Sequence, residues 1–119
     1  MASSYQPAPA PVLTLNSIAK DDAIVIECTG KLVSGTAGEL HSEVKALLPR
    51  TKHVILDLTG VTQMDSSGLG VIAGLYISAK AAGCRLELIN LSKRVRELMS
   101  LTNLLLLFES CGEHNVRVG

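Results

Sequence analysis

The sequence predicts a small α/β domain built on a mixed, mostly parallel sheet, with the element order ββαβαβαβ. Three observations carry that expectation. Short runs rich in β-branched and aliphatic residues alternate with segments whose apolar residues recur at helical spacing, the pattern of right-handed βαβ crossovers. The segment His53–Leu58 is nearly all apolar, as a strand buried on both faces would be. The chain has 119 residues, 47 % of them hydrophobic, which is enough for one core without disulfide or metal staples.

The elements follow in order. Residues 1–11 hold Pro7, Pro9 and Pro11 among alanines and show no apolar period, so a flexible or polyproline-like tail is expected there. The domain is placed at residues 12–119. Val12, Leu13 and Leu15 suggest a short first strand. Asp21-Asp22 makes a turn, and Ala23–Thr29 is a second strand, paired antiparallel with the first. Thr36 and Glu39 have the spacing of a capping box ahead of Leu40, Val44, Leu47 and Leu48, and Pro49 stops that helix. His53–Leu58 is the third strand, and Thr59–Asp65 reads as a loop. A helix runs from Ser66 to Ala82 with Gly83 as its C-cap. Arg85–Ile89 is the fourth strand. Ser92 can cap a short helix carrying Val95, Leu98 and Met99, and Leu104–Phe108 is a short final strand.

Composition excludes several functions. Eleven basic residues offset eleven acidic ones, and Tyr5, Tyr76 and Phe108 are the only aromatics. That leaves neither a basic footprint for nucleic acid nor a stacking platform for single strands. Cys28, Cys84 and Cys111 are odd in number with no CxxC spacing, so free thiols are expected and neither a disulfide framework nor a metal site. No basic segment precedes an apolar run near Met1, and the longest nearly apolar run, Gly68 to Ile77, has ten residues. A membrane span needs about 20. A cytoplasmic protein without membrane contact is the expectation.

Chemistry concentrates at Met64-Asp65-Ser66-Ser67-Gly68-Leu69-Gly70. Asp65 or Ser66 can act as N-cap, satisfying an orphan N–H of the first helical turn. Gly68 and Gly70 each cost about 1 kcal/mol of helix propensity against Ala, which suggests that something approaches this turn closely. At 100° per residue Gly68, Val71, Ile72, Leu75 and Ala79 share one core-facing stripe. Leu69, Ala73 and Tyr76 fall on the other side, so an outward apolar surface beside two serines is expected, the kind of patch that marks binding sites.

Enzymatic readings of these residues are weaker. Gly68–Ala73 matches GxGxxA, with Glu87 19 residues after Gly68 as a ribose acid, but a dinucleotide-binding turn starts directly after its strand. Here Leu58 lies ten residues before Gly68. GxSxG and GxxxxGK[ST] are absent, and His41, His53 and His114 have no evident catalytic role. Asp57 ends a strand as a receiver-domain phospho-acceptor would, without that fold's acidic cluster or lysine. No catalytic residue, metal ligand or cofactor is expected.

The segment Asp65-Ser66-Ser67-Gly68-Leu69-Gly70 resembles the STAS-domain family, in particular its anti-sigma-factor antagonists from bacterial partner-switching systems. Thr29-Gly30-Lys31-Leu32, Val54–Leu58, Val71–Leu75, Gly83, and Leu88–Ser92 with Val95 and Leu98 also fall at family positions. The likeness spans about Val12 to Phe108. It implies a STAS-like domain that is not an enzyme. It further implies an antagonist that binds an anti-sigma factor, itself a serine kinase of the GHKL ATPase type, and so releases a sigma factor; a monomer is the default expectation. Phosphorylation of Ser66, the serine directly after the aspartate, would end that binding, with Ser67 the second choice. A metal-dependent serine phosphatase would reset it. The implied contact surface is Leu32, Val33, Ser34, Met64, Asp65, Ser66, Ser67, Gly68, Leu69, Gly70, Ala73 and Tyr76. Where the family often has Gly-Glu-Leu-Asp, this chain has Gly30-Lys31-Leu32-Val33, two carboxylates fewer. The alternative role is a non-switching STAS scaffold of a stressosome or lipid-transport complex.

Overall fold

The computed structural model describes residues 10–103. The elements are β1 (Leu13–Lys20), β2 (Ala23–Leu32), α1 (Ala37–Leu47), β3 (His53–Met64), α2 (Ser66–Ala81), β4 (Arg85–Ile89) and α3 (Lys93–Leu101). They form one four-stranded sheet in the order β1-β2-β3-β4. β1 and β2 are antiparallel, joined at Asp21, which takes φ 55° in the turn. The β2–β3 and β3–β4 pairs are parallel. The mixed α/β architecture is therefore the expected one; the strand expected at Leu104–Phe108 lies outside the described residues.

Strand register sorts the side chains into two faces. Ile26, Leu56 and Leu88 align across β2, β3 and β4 and are fully buried. They share one core with Leu40 and Val44 of α1, Ile72 and Leu75 of α2, and Val95 and Met99 of α3. The alternate residues Val25, Ile55 and Glu87 align on the opposite face, where Val25 and Ile55 are half-buried. Among the described residues β3 is thus covered on one face only, not both. Its apolar run arises because Ile55 supplies an aliphatic side chain to the uncovered face.

Two local expectations need correction. Thr59–Asp65 is not a loop, because β3 continues to Met64 and pairs Val61 with Gly30 and Met64 with Leu32. Register shifts between Glu27 and Thr29 and between Gly30 and Lys31 permit the extension, each marking a residue out of ladder step. At the head of α1 no capping box forms, and the Thr36 side chain does not cap the helix. Its hydroxyl instead donates to Lys31 O at 2.6 Å and accepts from Val33 N at 3.1 Å, closing the β2–α1 turn on itself. Ser92 does cap α3, accepting from Val95 N at 3.2 Å.

Candidate functional site

The end of β3 delivers the chain to α2 beside the β2–α1 turn. Asp65, not Ser66, is the N-cap of α2. Its Oδ1 accepts from Ser67 N at 2.9 Å and Gly68 N at 3.2 Å. Its Oδ2 accepts from Ser34 N at 3.1 Å. One carboxylate thus satisfies two orphan donors of the helix and fastens the neighbouring turn to it. Partial desolvation acts to raise the Asp65 carboxyl, but the N–H donors of Gly68, Ser34 and Ser67 outweigh it and hold the pKa below 3.8.

The sign of that shift gives a prediction. A carboxyl with a depressed folded pKa contributes stability above about pH 4, its unfolded value, and loses it as pH falls through the lower folded value. Asp57, held ionised by Thr59 and Asn90 against its own partial desolvation, acts in the same direction. Urea unfolding measured from pH 6 down to 2 is expected to show falling stability below pH 4. In Asp65→Asn the decline should be shallower from a lower starting point; an unchanged pH profile would mean that the carboxylate does not hold the turn.

Gly68 explains how the two segments come so close. A Cβ at this position would lie 2.4 Å from Leu32 O and 3.0 Å from both Leu32 Cγ and Met64 Cγ. The expected close approach is therefore made by the protein's own turn. Gly70 differs: a Cβ there would meet nothing within 4 Å, and the residue is exposed.

Burial redistributes the expected surface. Leu32, Val33, Met64, Gly68, Leu69 and Tyr76 are buried. Ser34, Ser66 and Gly70 are exposed, while Asp65, Ser67 and Ala73 are intermediate. The outward apolar face is accordingly not Leu69–Ala73–Tyr76. Leu69 is 7 % and Tyr76 3 % exposed, and both belong to the core. α2 packs on α1 as well as on β3 and β4, and two neighbours bury more than one 100° stripe. The residues left facing out are Ser66, Gly70, Ala73 and Ile77, spaced four, three and four apart, a single helical face. Ile77, which the sequence reading missed, is 65 % exposed. Its signal was present: it lies eleven residues after Ser66, three turns along the same side. Val33 is buried, whereas Lys31 is exposed.

The residues tied to enzymatic readings disperse. Glu87 faces the uncovered side of the sheet, away from α2, 2.5 Å from His53 Nε2 and 3.4 Å from Arg85 Nε. His41 is exposed on α1; His114 lies outside the described residues. Cys28 is buried, and burial first, then the Asp57 charge, pushes its thiol up to about 12. Among the described residues no cluster of His, Cys, Asp or Glu is placed to hold a metal ion, and no helix is long and apolar enough to cross a membrane.

Fold and site together define a class: a small mixed α/β domain that presents an exposed serine at a helix N-terminus, locked to an adjacent turn, with an uncharged helical face leading away from it. The chain belongs to the STAS domain family, whose model matches residues 14–115. It is 31 % identical over 84 residues to the anti-sigma-B factor antagonist of Bacillus subtilis, covering 71 % of this chain and 77 % of that protein. The fold matches the crystal structure of an anti-sigma factor antagonist from Mycobacterium paratuberculosis with a TM-score of 0.71 at 21 % identity, over 78 % of this chain and 80 % of that one. It also matches the Bacillus cell fate determinant SpoIIAA in its phosphorylated form, with a TM-score of 0.63 at 21 % identity over 78 % of this chain and 85 % of that one.

Proposed function

We propose that this protein is an anti-sigma-factor antagonist whose docking surface joins the Ser34 turn to the outer face of α2, and whose binding is ended by phosphorylation of Ser66. The observation that carries the reading is the exposed Ser66 at the start of a face bearing Gly70, Ala73 and Ile77. That face has no charge until Lys80, so a partner can cover it with little desolvation cost. The likeness to named antagonists supports the choice of an anti-sigma factor as that partner.

The switch follows from charge and placement. A phosphate at Ser66 brings about −1.5 to −2 charges and three acceptor oxygens. The positive end of α2 tolerates an anion, so the domain keeps its fold. Asp65 already occupies the N–H groups of Ser67 and Gly68, which leaves the phosphate projecting toward the partner beside another carboxylate. Burying that charge under a partner is costly, and a loss of about 3 kcal/mol lowers affinity more than a hundredfold. The kinase supplies the nucleotide, metal and positioned groups that phosphoryl transfer requires. A GHKL-type serine kinase that is itself the anti-sigma factor, and a metal-dependent phosphatase that reverses the reaction, complete the cycle, with the antagonist acting as a cytoplasmic monomer.

Ile77 gives a local check of the surface. Ile77→Asp is expected to leave stability within about 0.5 kcal/mol of wild type, as for most exposed positions. It should weaken anti-sigma-factor binding at least about tenfold, a loss of about 1.4 kcal/mol, read by calorimetry. Equal binding by the variant would remove this face from the interface. The function itself is tested by adding unphosphorylated protein to the cognate complex of anti-sigma factor and sigma factor. Release of free sigma factor, followed by size-exclusion chromatography, is expected; an intact complex at saturating antagonist would refute the reading.

A further inference from the structure

The sheet face opposite the helices carries a second feature, unrelated to Ser66. The end of the β1–β2 hairpin, the first half of β3, and Glu87 and Ile89 of β4 enclose a concavity of about 680 Å³, within the range of binding sites. Its floor is aliphatic: Ile18, Val25, Ile55 and Ile89. Ile18 is 42 % exposed and the other three are half-buried. No helix among the described residues contributes to its lining.

The rim is acidic in a chain with no net charge. Asp21, Asp22, Glu27, Asp57 and Glu87 line it, against Lys20 as the one lysine or arginine. Two of these carboxylates are fixed by their surroundings. Asp57 Oδ1 accepts from Thr59 Oγ1, Thr59 N and Asn90 Nδ2, and despite partial desolvation these donors keep its pKa below 3.8. Glu87, only 5 % exposed, is held by His53 and Arg85. Asp21 and Asp22 stand exposed at the hairpin turn. An aliphatic floor bordered by an acidic rim is complementary to an apolar stripe flanked by cations.

We infer that this concavity is a second docking surface, for a basic amphipathic segment of a protein partner, placing aliphatic side chains on Val25, Ile55 and Ile89 and lysines or arginines against the acidic rim. It lies on the other face of the sheet from α2, toward the end of β3 away from Ser66. Along β3, Ile55 in the concavity stands nine residues before Met64, which leads into Ser66, about 30 Å at about 3.3 Å per residue. Both can be occupied at once, and the second does not depend on the state of Ser66.

The test uses the full chain, labelled with nitrogen-15, and two synthetic helical peptides that share a leucine stripe flanked by lysines in one and glutamates in the other. The lysine peptide is expected to shift the amide signals of Val25, Ile55 and Ile89, with an affinity that falls as salt rises; the glutamate peptide should not. Ile55→Lys should weaken binding at least about tenfold, and Asp21→Asn with Asp22→Asn, in the exposed turn, should weaken it and flatten its salt dependence. Ser66→Glu should leave it unchanged. The inference is overturned by absent binding of the lysine peptide, equal binding of the glutamate peptide, or shifts confined to α2. It is also overturned if binding appears only after removal of residues 1–11, which would make the tail the occupant, or if the face is covered by concentration-dependent self-association.

Discussion

Gly68→Ala is expected to destabilise the domain by about 2 kcal/mol, although alanine is the better helix former. The propensity gain is about 1 kcal/mol. Against it stands a Cβ 2.4 Å from Leu32 O, a backbone atom fixed in the β2–β3 ladder by the pairing of Leu32 with Met64. Overpacking costs typically about 1–3 kcal/mol and more when the obstructing atom cannot swing away. The turn must lift off α2, which stretches the bond from Ser34 N to Asp65 Oδ2 and displaces Ser34 from Ser66. Gly70→Ala is the matched control two residues along, with open space around its Cβ, and should raise stability by about 1 kcal/mol. Urea titrations of the two variants should therefore move in opposite directions. Equal stabilisation by both would show that the turn does not seat on Gly68. Gly68→Ala should also lose partner affinity if the Ser34 turn belongs to the docking surface, as proposed.

Ser66→Glu is the second large effect, and it is expected in binding alone. Ser66 is exposed at the first position of α2, where an acidic residue interacts favourably with the helix dipole. Thermal stability should stay equal to wild type or rise slightly. Affinity for the anti-sigma factor should fall about a hundredfold or more, the equivalent of about 3 kcal/mol. Ser66→Ala should bind as wild type does and lose all response to the kinase. The same change at Ser67, which is half-buried and donates its own N–H to Asp65, should instead disturb stability. This separates the two serines by measurements of different kinds. Wild-type affinity in Ser66→Glu would mean that charge at this position is not what the partner reads.

Signals that are local in the chain were legible before the fold was known. α2 runs from Ser66 to Ala81 because an aspartate precedes it and Gly83, at φ 71°, follows it. The antiparallel hairpin is legible in Asp21-Asp22, and the cap of α3 in Ser92. What escaped depends on partners outside the element itself. The segment Thr59–Gln63 carries threonines and a glycine that read as a turn, and only the bulged ladder with Thr29–Leu32 makes it strand. Thr36 has the spacing of a capping box, but Lys31 O and Val33 N compete for its hydroxyl and win. A single 100° stripe places Gly68, Ile72, Leu75 and Ala79 correctly in the core. It cannot anticipate that α1 lies alongside α2 and that Leu69 and Tyr76 are buried too, which moves the free face to Ser66, Gly70, Ala73 and Ile77.

The same reasoning separates the motif's two tasks. Asp65 and Gly68 build the site: one ties the β2–α1 turn to the helix by hydrogen bonds, the other lets the turn approach. Ser66 projects from what they build. The acid-to-serine order of the motif fits this division, since the capping carboxylate precedes the first helical residue and the exposed hydroxyl is on that residue. Exchange of the two, Asp65→Ser with Ser66→Asp, is expected to lose both the tie to Ser34 and the acceptor at the exposed position.

The most direct measurement is to incubate the protein with its cognate anti-sigma factor and magnesium ATP, and to locate the phosphate by mass spectrometry of proteolytic fragments. A single phosphate on Ser66, absent from Ser66→Ala and accompanied by dissociation of the pair, is the expected result. Phosphate on Ser67 or Ser34 with Ser66 unmodified, or a fully phosphorylated Ser66 in a complex that stays intact, would contradict the account.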